Sequence, residues 1–200
     1  AAVTSLCKSA ILLDGGKITA SGTPTQIIKE YYTSGSMGRV DYTHAQEKPG
    51  RGNVKLISGQ VLNSRGQVTE EIAIGEPVTI EMFFLIQNQE AAMKLEPNFR
   101  FFASNGEVAF LSCDARRNRI GNGKYVARCN VPANFFNNDT YSVAMALTSY
   151  DAGVEVLFYD HNLAFSVVDK MSTTLTRGYF AGSIPGYVRP LLNWDLVKVE

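Results

Sequence analysis

The residues able to do chemistry in this 200-residue chain are few and scattered. Ser5 and Lys8 in "SLCK" have the Ser-x-x-Lys spacing of a serine nucleophile and its lysine partner, but a four-residue match arises easily by chance. Neither GxSxG nor HExxH occurs. Cys7, Cys113 and Cys129 form no C-x-x-C pair. An odd, scattered set reads as free thiols of a reducing compartment, packed as small apolar residues. Two histidines, His44 and His161, are too few for a histidine-rich metal centre. Asp160 and His161 are adjacent, and on a strand neighbouring side chains point to opposite faces, which argues against an acid–base pair. The run "CDARRNR" (113–119) gathers Arg116, Arg117 and Arg119, whose planar forks suit anionic groups. A solvated loop between strands explains the same run. The chain therefore reads as non-catalytic, with neither a metal nor a cofactor expected.

Composition narrows the class further. Lys plus Arg and Asp plus Glu are each 19, so the formal charge is zero, without the basic excess of a nucleic-acid binder. Hydrophobic residues at 45% exclude disorder. The longest apolar stretch, "VTIEMFFLI", is interrupted by Glu81 and is far too short to span a bilayer. The N-terminus lacks the pattern of a secretory signal. In a cytosolic chain the "NDT" sequon at 138–140 has no consequence.

The chain divides by period into three parts: 1–32, 33–52 and 53–200. In the first, "AILLD", Gly15-Gly16 and "KITA" predict a tight hairpin, and Thr23-Pro24 supply an N-cap and first position for a helix carrying Ile27, Ile28 and Tyr31 on one side. Residues 33–52, rich in Gly, Ser and charge, read as a linker. From Asn53 the period is two. Val78, Ile80, Met82, Phe84 and Ile86 alternate in one strand, and Val143, Met145 and Leu147 in another. Asn105-Gly106 marks a hairpin between "NFRFFAS" and "EVAFLS". Eight or nine short strands with regular turns predict an all-β, antiparallel β-sandwich. Tyr141, opening the 140–149 strand, fits a tyrosine corner, its hydroxyl bonded back to main chain.

Two segments carry a family resemblance. "LCKSAILLDGGKITASGTPTQIIKEYY" resembles the C-terminal end of an ABC-transporter ATPase. "GRGNVKLISGQVLNSRGQVTEEIAIGEPVTIEM" and the late "GYV…NWD" resemble the C-terminal domain of the Wzt family, ATPase subunits of O-antigen polysaccharide exporters. The resemblance covers nearly the whole chain. It implies a fragment of a longer protein: the end of an ATPase domain, a linker, and an immunoglobulin-like β-sandwich that binds the non-reducing end of a glycan before export. It further implies a cytoplasmic place at the inner membrane, through the exporter's transmembrane permease subunit. The Walker motifs are absent from this chain, so ATPase activity does not carry over. A dimerisation module without glycan recognition is the alternative.

Which residues touch a sugar is read from the strand faces instead. With Ile80, Met82 and Phe84 inward, Thr79, Glu81, Phe83, Leu85 and Gln87 face out. Ser142, Ala144, Ala146 and Thr148 face out of the next strand. Glu155, Leu157 and Tyr159 do so from a third, if Val154, Val156 and Phe158 are core. Taking the three strands as neighbours, small residues form a floor between larger ones, and Phe83, Leu85, Thr148 and Tyr159 become the candidate carbohydrate contacts, with Arg116 and Arg117 next if the sugar is acidic. A glycan, a second subunit and the chain's own tail all fit such a patch. The long connection 169–190 precedes "LLNWDLVKVE", where Leu192, Trp194 and Leu196 share one side. That reads as a final strand handed to a partner in a homodimer.

Overall fold

The computed structural model describes residues 6–33, 35–116, 118–170 and 177–199. Strands β1 (Ala10–Asp14) and β2 (Lys17–Gly22) form the expected hairpin, with Gly15 and Gly16 at positive φ in its turn. Helix α1 (Pro24–Thr33) follows. Its start is a capping box: Gln26 N–H donates to Thr23 Oγ1 at 3.4 Å, and Gln26 Oε1 accepts from Thr23 N–H at 3.2 Å.

The remaining strands are β3 (Ser36–Met37), β4 (Arg39–Asp41), β5 (Val54–Leu62), β6 (Glu71–Ala73), β7 (Val78–Ile86), β8 (Met93–Phe102), β9 (Val108–Cys113), β10 (Arg119–Ile120), β11 (Gly123–Val131), β12 (Asp139–Ser149) and β13 (Glu155–Val168). They form two facing sheets. One has four strands in the order β11-β7-β5-β4. The other has seven: the path β10-β8-β12-β13-β3, with β9 on β8 and β6 on β13. All pairings are antiparallel except the short β3 and β6, which run parallel to β13. The chain is an all-β sandwich.

Alternation built the core as expected. Val78, Ile80, Met82, Phe84 and Ile86 of β7 meet Tyr141, Val143, Met145 and Leu147 of β12 in one buried cluster with Phe99, Phe101 and Phe165. On β5, Gly59 faces Met145 of the other sheet. A Cβ there would lie 2.2 Å from Met145 Sδ. Since Met145 is fully buried, Gly59→Ala is expected to overpack the core and cost about 1–3 kcal/mol, read as a lower denaturation midpoint at unchanged m-value. Tyr141 forms the corner: its hydroxyl lies 3.0 Å from the Asn137 carbonyl and 2.8 Å from that of Tyr187.

Four sequence expectations change. Residues 36–41, inside the expected linker, form β3 and β4, and Val40 joins the core. The runs "VEVLFYD" and "NLAFSVVD", which read as two successive short strands, lie in one strand, β13, with two register irregularities against β12. The irregularity between Leu147 and Thr148 reverses the phase of its first residues: Leu157 is core, while Val154 and Val156 are exposed. Lastly, no strand forms among residues 189–199; Trp194 is 89% exposed and Leu192 and Leu196 are also uncovered. A single extended segment without a partner edge has nothing to satisfy its main chain.

Candidate functional site

The expected contact residues do not share a face. β7 lies in the four-stranded sheet, so Phe83 and Leu85 sit on the opposite outer face of the sandwich from Thr148 and Tyr159. The three strands are not neighbours, because β8, not β7, pairs with β12. Arg116 lies in the loop after β9, where its Nε and Nη2 each donate to the Asp114 carboxylate at 2.7 Å. That pairing lowers the Asp114 pKa and neutralises the guanidinium locally. A cleft of about 380 Å³ beside it is lined by Ser112, Asp114, Arg116, Arg128 and Cys129. Arg117 lies outside the described residues.

The outer face of the seven-stranded sheet nevertheless has the expected floor. Cross-strand registers place Asn98, Ala146 and Tyr159 in one row and Glu96, Thr148 and Val156 in the next. Arg100 stands opposite Ala144. Ala144 and Ala146 are buried, and α1 packs against β12 on this side, while Tyr159 is 48% exposed and Arg100 is exposed. The result is a trough along β12, with an aromatic ring on one side and amide and guanidinium groups on the other. Asn98 Nδ2 donates to Thr148 Oγ1 at 3.2 Å, which fixes the amide.

Both ends of the trough are built. At one, Tyr32 of α1 stacks on Phe102 with centroids 5.5 Å apart and lies 5.2 Å from His161. The Tyr32 ring also seats against Gly106, where any Cβ would collide with it. His161 lies 2.9 Å from Ser142 Oγ, and burial lowers its pKa, which favours a neutral ring. Beyond Thr148 at the other end, a cavity of about 510 Å³ is lined by Lys94, Leu95, Glu96, Asn118, Arg119 and Tyr150. The Tyr150 hydroxyl donates to Glu96 Oε1 at 3.1 Å. The face thus offers a ring platform, a row of hydrogen-bonding tips and a terminal pocket. These are the parts a polyhydroxylated ligand needs.

Asp160 and His161 diverge as their adjacency predicts. Asp160 is buried and accepts from the Tyr42 hydroxyl at 2.6 Å, whereas His161 belongs to the Tyr32 cluster. Burial, then the Asp160 hydrogen bond, raises the Tyr42 pKa well above the usual phenol range. Among the described residues no group of three or more His, Cys, Asp or Glu is placed to hold a metal ion.

Glu96, Asn98, Arg100 and Tyr150 were not singled out from sequence. The signal for the first three was present in "KLEPNFRF": Leu95, Pro97, Phe99 and Phe101 alternate with Lys94, Glu96, Asn98 and Arg100. Only the pairing of β8 with β12 makes that polar side part of the trough.

Neither a protein-family model nor a curated protein sequence matches the chain. Among solved structures, the C-terminal domain of Wzt superposes with a TM-score of 0.59 at 11% identity, covering 85% of this chain and 96% of that one. A structural-genomics target, SoR45, gives a TM-score of 0.33 at 8% identity, over 62% of this chain and 92% of that one. The cupredoxin domain of amoB from Nitrosocaldus yellowstonii gives 0.32 at 11%, over 70% and 100%. The first of these shows that the chain has the fold of a Wzt C-terminal domain.

Proposed function

We propose that the chain is a non-catalytic polysaccharide-binding module of an ABC exporter's ATPase subunit, and that it holds the non-reducing terminus of an O-antigen-type glycan in the trough of the seven-stranded sheet. The observation that carries the reading is the half-exposed Tyr159 ring, facing Asn98 across the small Ala146, with the exposed Arg100 in the neighbouring row. The shared fold and the ATPase-like opening segment support the exporter context. A pocket at one end of the trough suits a chain terminus better than a chain interior. In the parent protein the module sits on the cytoplasmic side of the inner membrane, held there through the permease. No helix among the described residues is long and apolar enough to cross a membrane itself.

Titration of the chain with the intact glycan and with glycan trimmed of its terminal residue tests the reading. Binding is expected only for the intact form; equal affinity for both would remove terminus recognition. Tyr159→Ala is expected to weaken binding about tenfold or more while leaving the unfolding midpoint nearly unchanged, since a half-exposed ring contributes little to the core. Unaltered affinity in that variant would move the site elsewhere.

The exposed tail favours a second property, which we also propose: a homodimer in which residues 192–199 complete the partner's sheet. If dimerisation persists and no glycan binds, the module is an assembly device alone.

A further inference from the structure

The other outer face holds a second groove with different chemistry. On the four-stranded sheet, register aligns Lys55, Leu85 and Lys124 in one row, then Ser58, Phe83 and Val126, then Arg39, Gln60, Glu81 and Arg128. A cavity of about 510 Å³ opens over these rows, lined by Arg39, Lys48, Ser58, Phe83, Leu85 and Lys124. The two carboxylates of these rows and of β4 are occupied. Asp41 pairs with Arg39 at 2.7 Å, and Glu81, only 4% exposed, is held by Arg128 and by Gln60 Nε2 at 2.7 Å.

Lys48, Lys55 and Lys124 have no ion-pair partner among the described residues. Two of them are nonetheless fixed in place. Lys48 Nζ donates to the Thr43 carbonyl at 2.8 Å, and Lys55 Nζ to that of Gly50 at 2.8 Å. An ammonium held on neutral carbonyls keeps its whole charge and further N–H groups for an anion. In a chain of zero net charge this is a local excess of cations around an apolar floor.

We propose that this groove is a separate binding site for an acidic saccharide, a uronate-bearing sugar, with its apolar ring face on Phe83 and Leu85 and its carboxylate drawn to Lys48 and Lys124. The inference rests on the carbohydrate reading for its ligand class, and on the cation excess for its selectivity. A cavity of this volume fits one or two sugar rings, and Ser58 and Thr43 line it with hydroxyls. A membrane surface would instead need the charges on a flat or protruding face, not around a recess.

The test uses the full chain, with trigalacturonic acid, its methyl ester and inorganic phosphate as probes in titration calorimetry. The acid is expected to bind, the ester to bind at least about tenfold more weakly, and phosphate not to compete at equal concentration. Affinity for the acid should fall with added salt and drop about tenfold or more in Lys48→Ala/Lys124→Ala, with Tyr159→Ala unaffected. Circular dichroism of the double variant checks that it folds. Equal affinity for acid and ester, full competition by phosphate, or unchanged binding in the double variant would each overturn the proposal. So would binding to phosphatidylglycerol vesicles that depends on Lys48 and Lys124 without any for the acid. Binding that appears only once residues 192–200 are deleted would also overturn it, since the groove would then be the seat of a tail. If trigalacturonic acid fails while a terminal glycan still binds through Tyr159, this inference falls alone and the trough reading stands.

Discussion

Replacing Asp169 by asparagine is expected to destabilise the domain by about 3–5 kcal/mol, lowering the melting temperature by roughly 6–20 °C. Asp169 follows the end of β13, with its side chain 3% exposed. It accepts from Arg177 Nε at 2.7 Å and from Arg189 Nη1 and Nη2 at 3.0 Å, and both arginines are themselves largely buried. Removing the carboxylate's charge leaves two largely buried guanidinium groups without an ion-pair partner among the described residues. Arg177 keeps its hydrogen bond to the Gly182 carbonyl at 2.7 Å. Arg189 has little in reserve, since its Nε finds no acceptor among the described residues. A loss below about 1 kcal/mol would mean that the cluster behaves like a surface ion pair.

The same cluster sets an acid limit. Burial alone would raise the Asp169 pKa, but hydrogen bonds from Arg177 and Arg189 outweigh it and hold the pKa below the usual carboxylate range. The folded state therefore binds this proton less readily than the unfolded chain does. Its stabilisation is complete above the unfolded pKa of about 3.9 and is lost as pH falls through the lower folded value. Denaturation midpoints measured from pH 6 down to pH 2 should show that loss in the native protein and a smaller one in Asp169→Asn.

Truncation after Leu191 is expected to convert a homodimer into a monomer by light scattering. Hydrogen bonds anchor the connection to its own domain: Asn137 Nδ2 donates to the carbonyls of Ile184 and Gly186 at 2.7 Å, and Arg189 N–H to that of Phe135 at 2.8 Å. Leu191 N–H reaches the Asn134 carbonyl at 3.2 Å. The reach of residues 169–190 thus counts for little, and only residues 192–199 are available to leave. Their eight residues extend about 26 Å, close to the ~30 Å of the nine-residue β11, which forms a free edge of the four-stranded sheet. A long free edge and an uncovered Leu192, Trp194 and Leu196 on one chain are complementary liabilities, and pairing between copies removes both. A native chain that remains monomeric at tens of micromolar would sink the exchange and leave the tail as a solvent-exposed extension.

Much of the fold was legible because its causes are local. Gly15-Gly16 and Asn105-Gly106 mark turns by their tolerance of positive φ, and both glycine sites adopt it. The period of β7 declares which side is buried whatever sheet it joins, and Tyr141 bonds to a carbonyl four residues back. Tyr159 was identified as outward-facing because Phe158 beside it is core, and adjacent residues on a strand point to opposite faces.

The rest depended on pairings that no local pattern encodes. Alternation says that β7 has an inner side, but not that its neighbours are β5 and β11; this is why Phe83 and Thr148 were assigned to one face when they lie on two. One irregularity between β12 and β13 exchanges Val156 and Leu157 between solvent and core, since a one-residue slip reverses every side chain beyond it. Residues 36–41 have too short a run to show a period, and become strands only because β13 and β5 offer them edges. The amino-acid sequence by itself determined the all-β class, the turns and the inward residues of the long strands, through steric and solvation preferences acting over a few residues. Tertiary structure alone decided which outward residues meet, because main-chain hydrogen bonds join any two strands alike and the choice among them is made by the packing of the whole core.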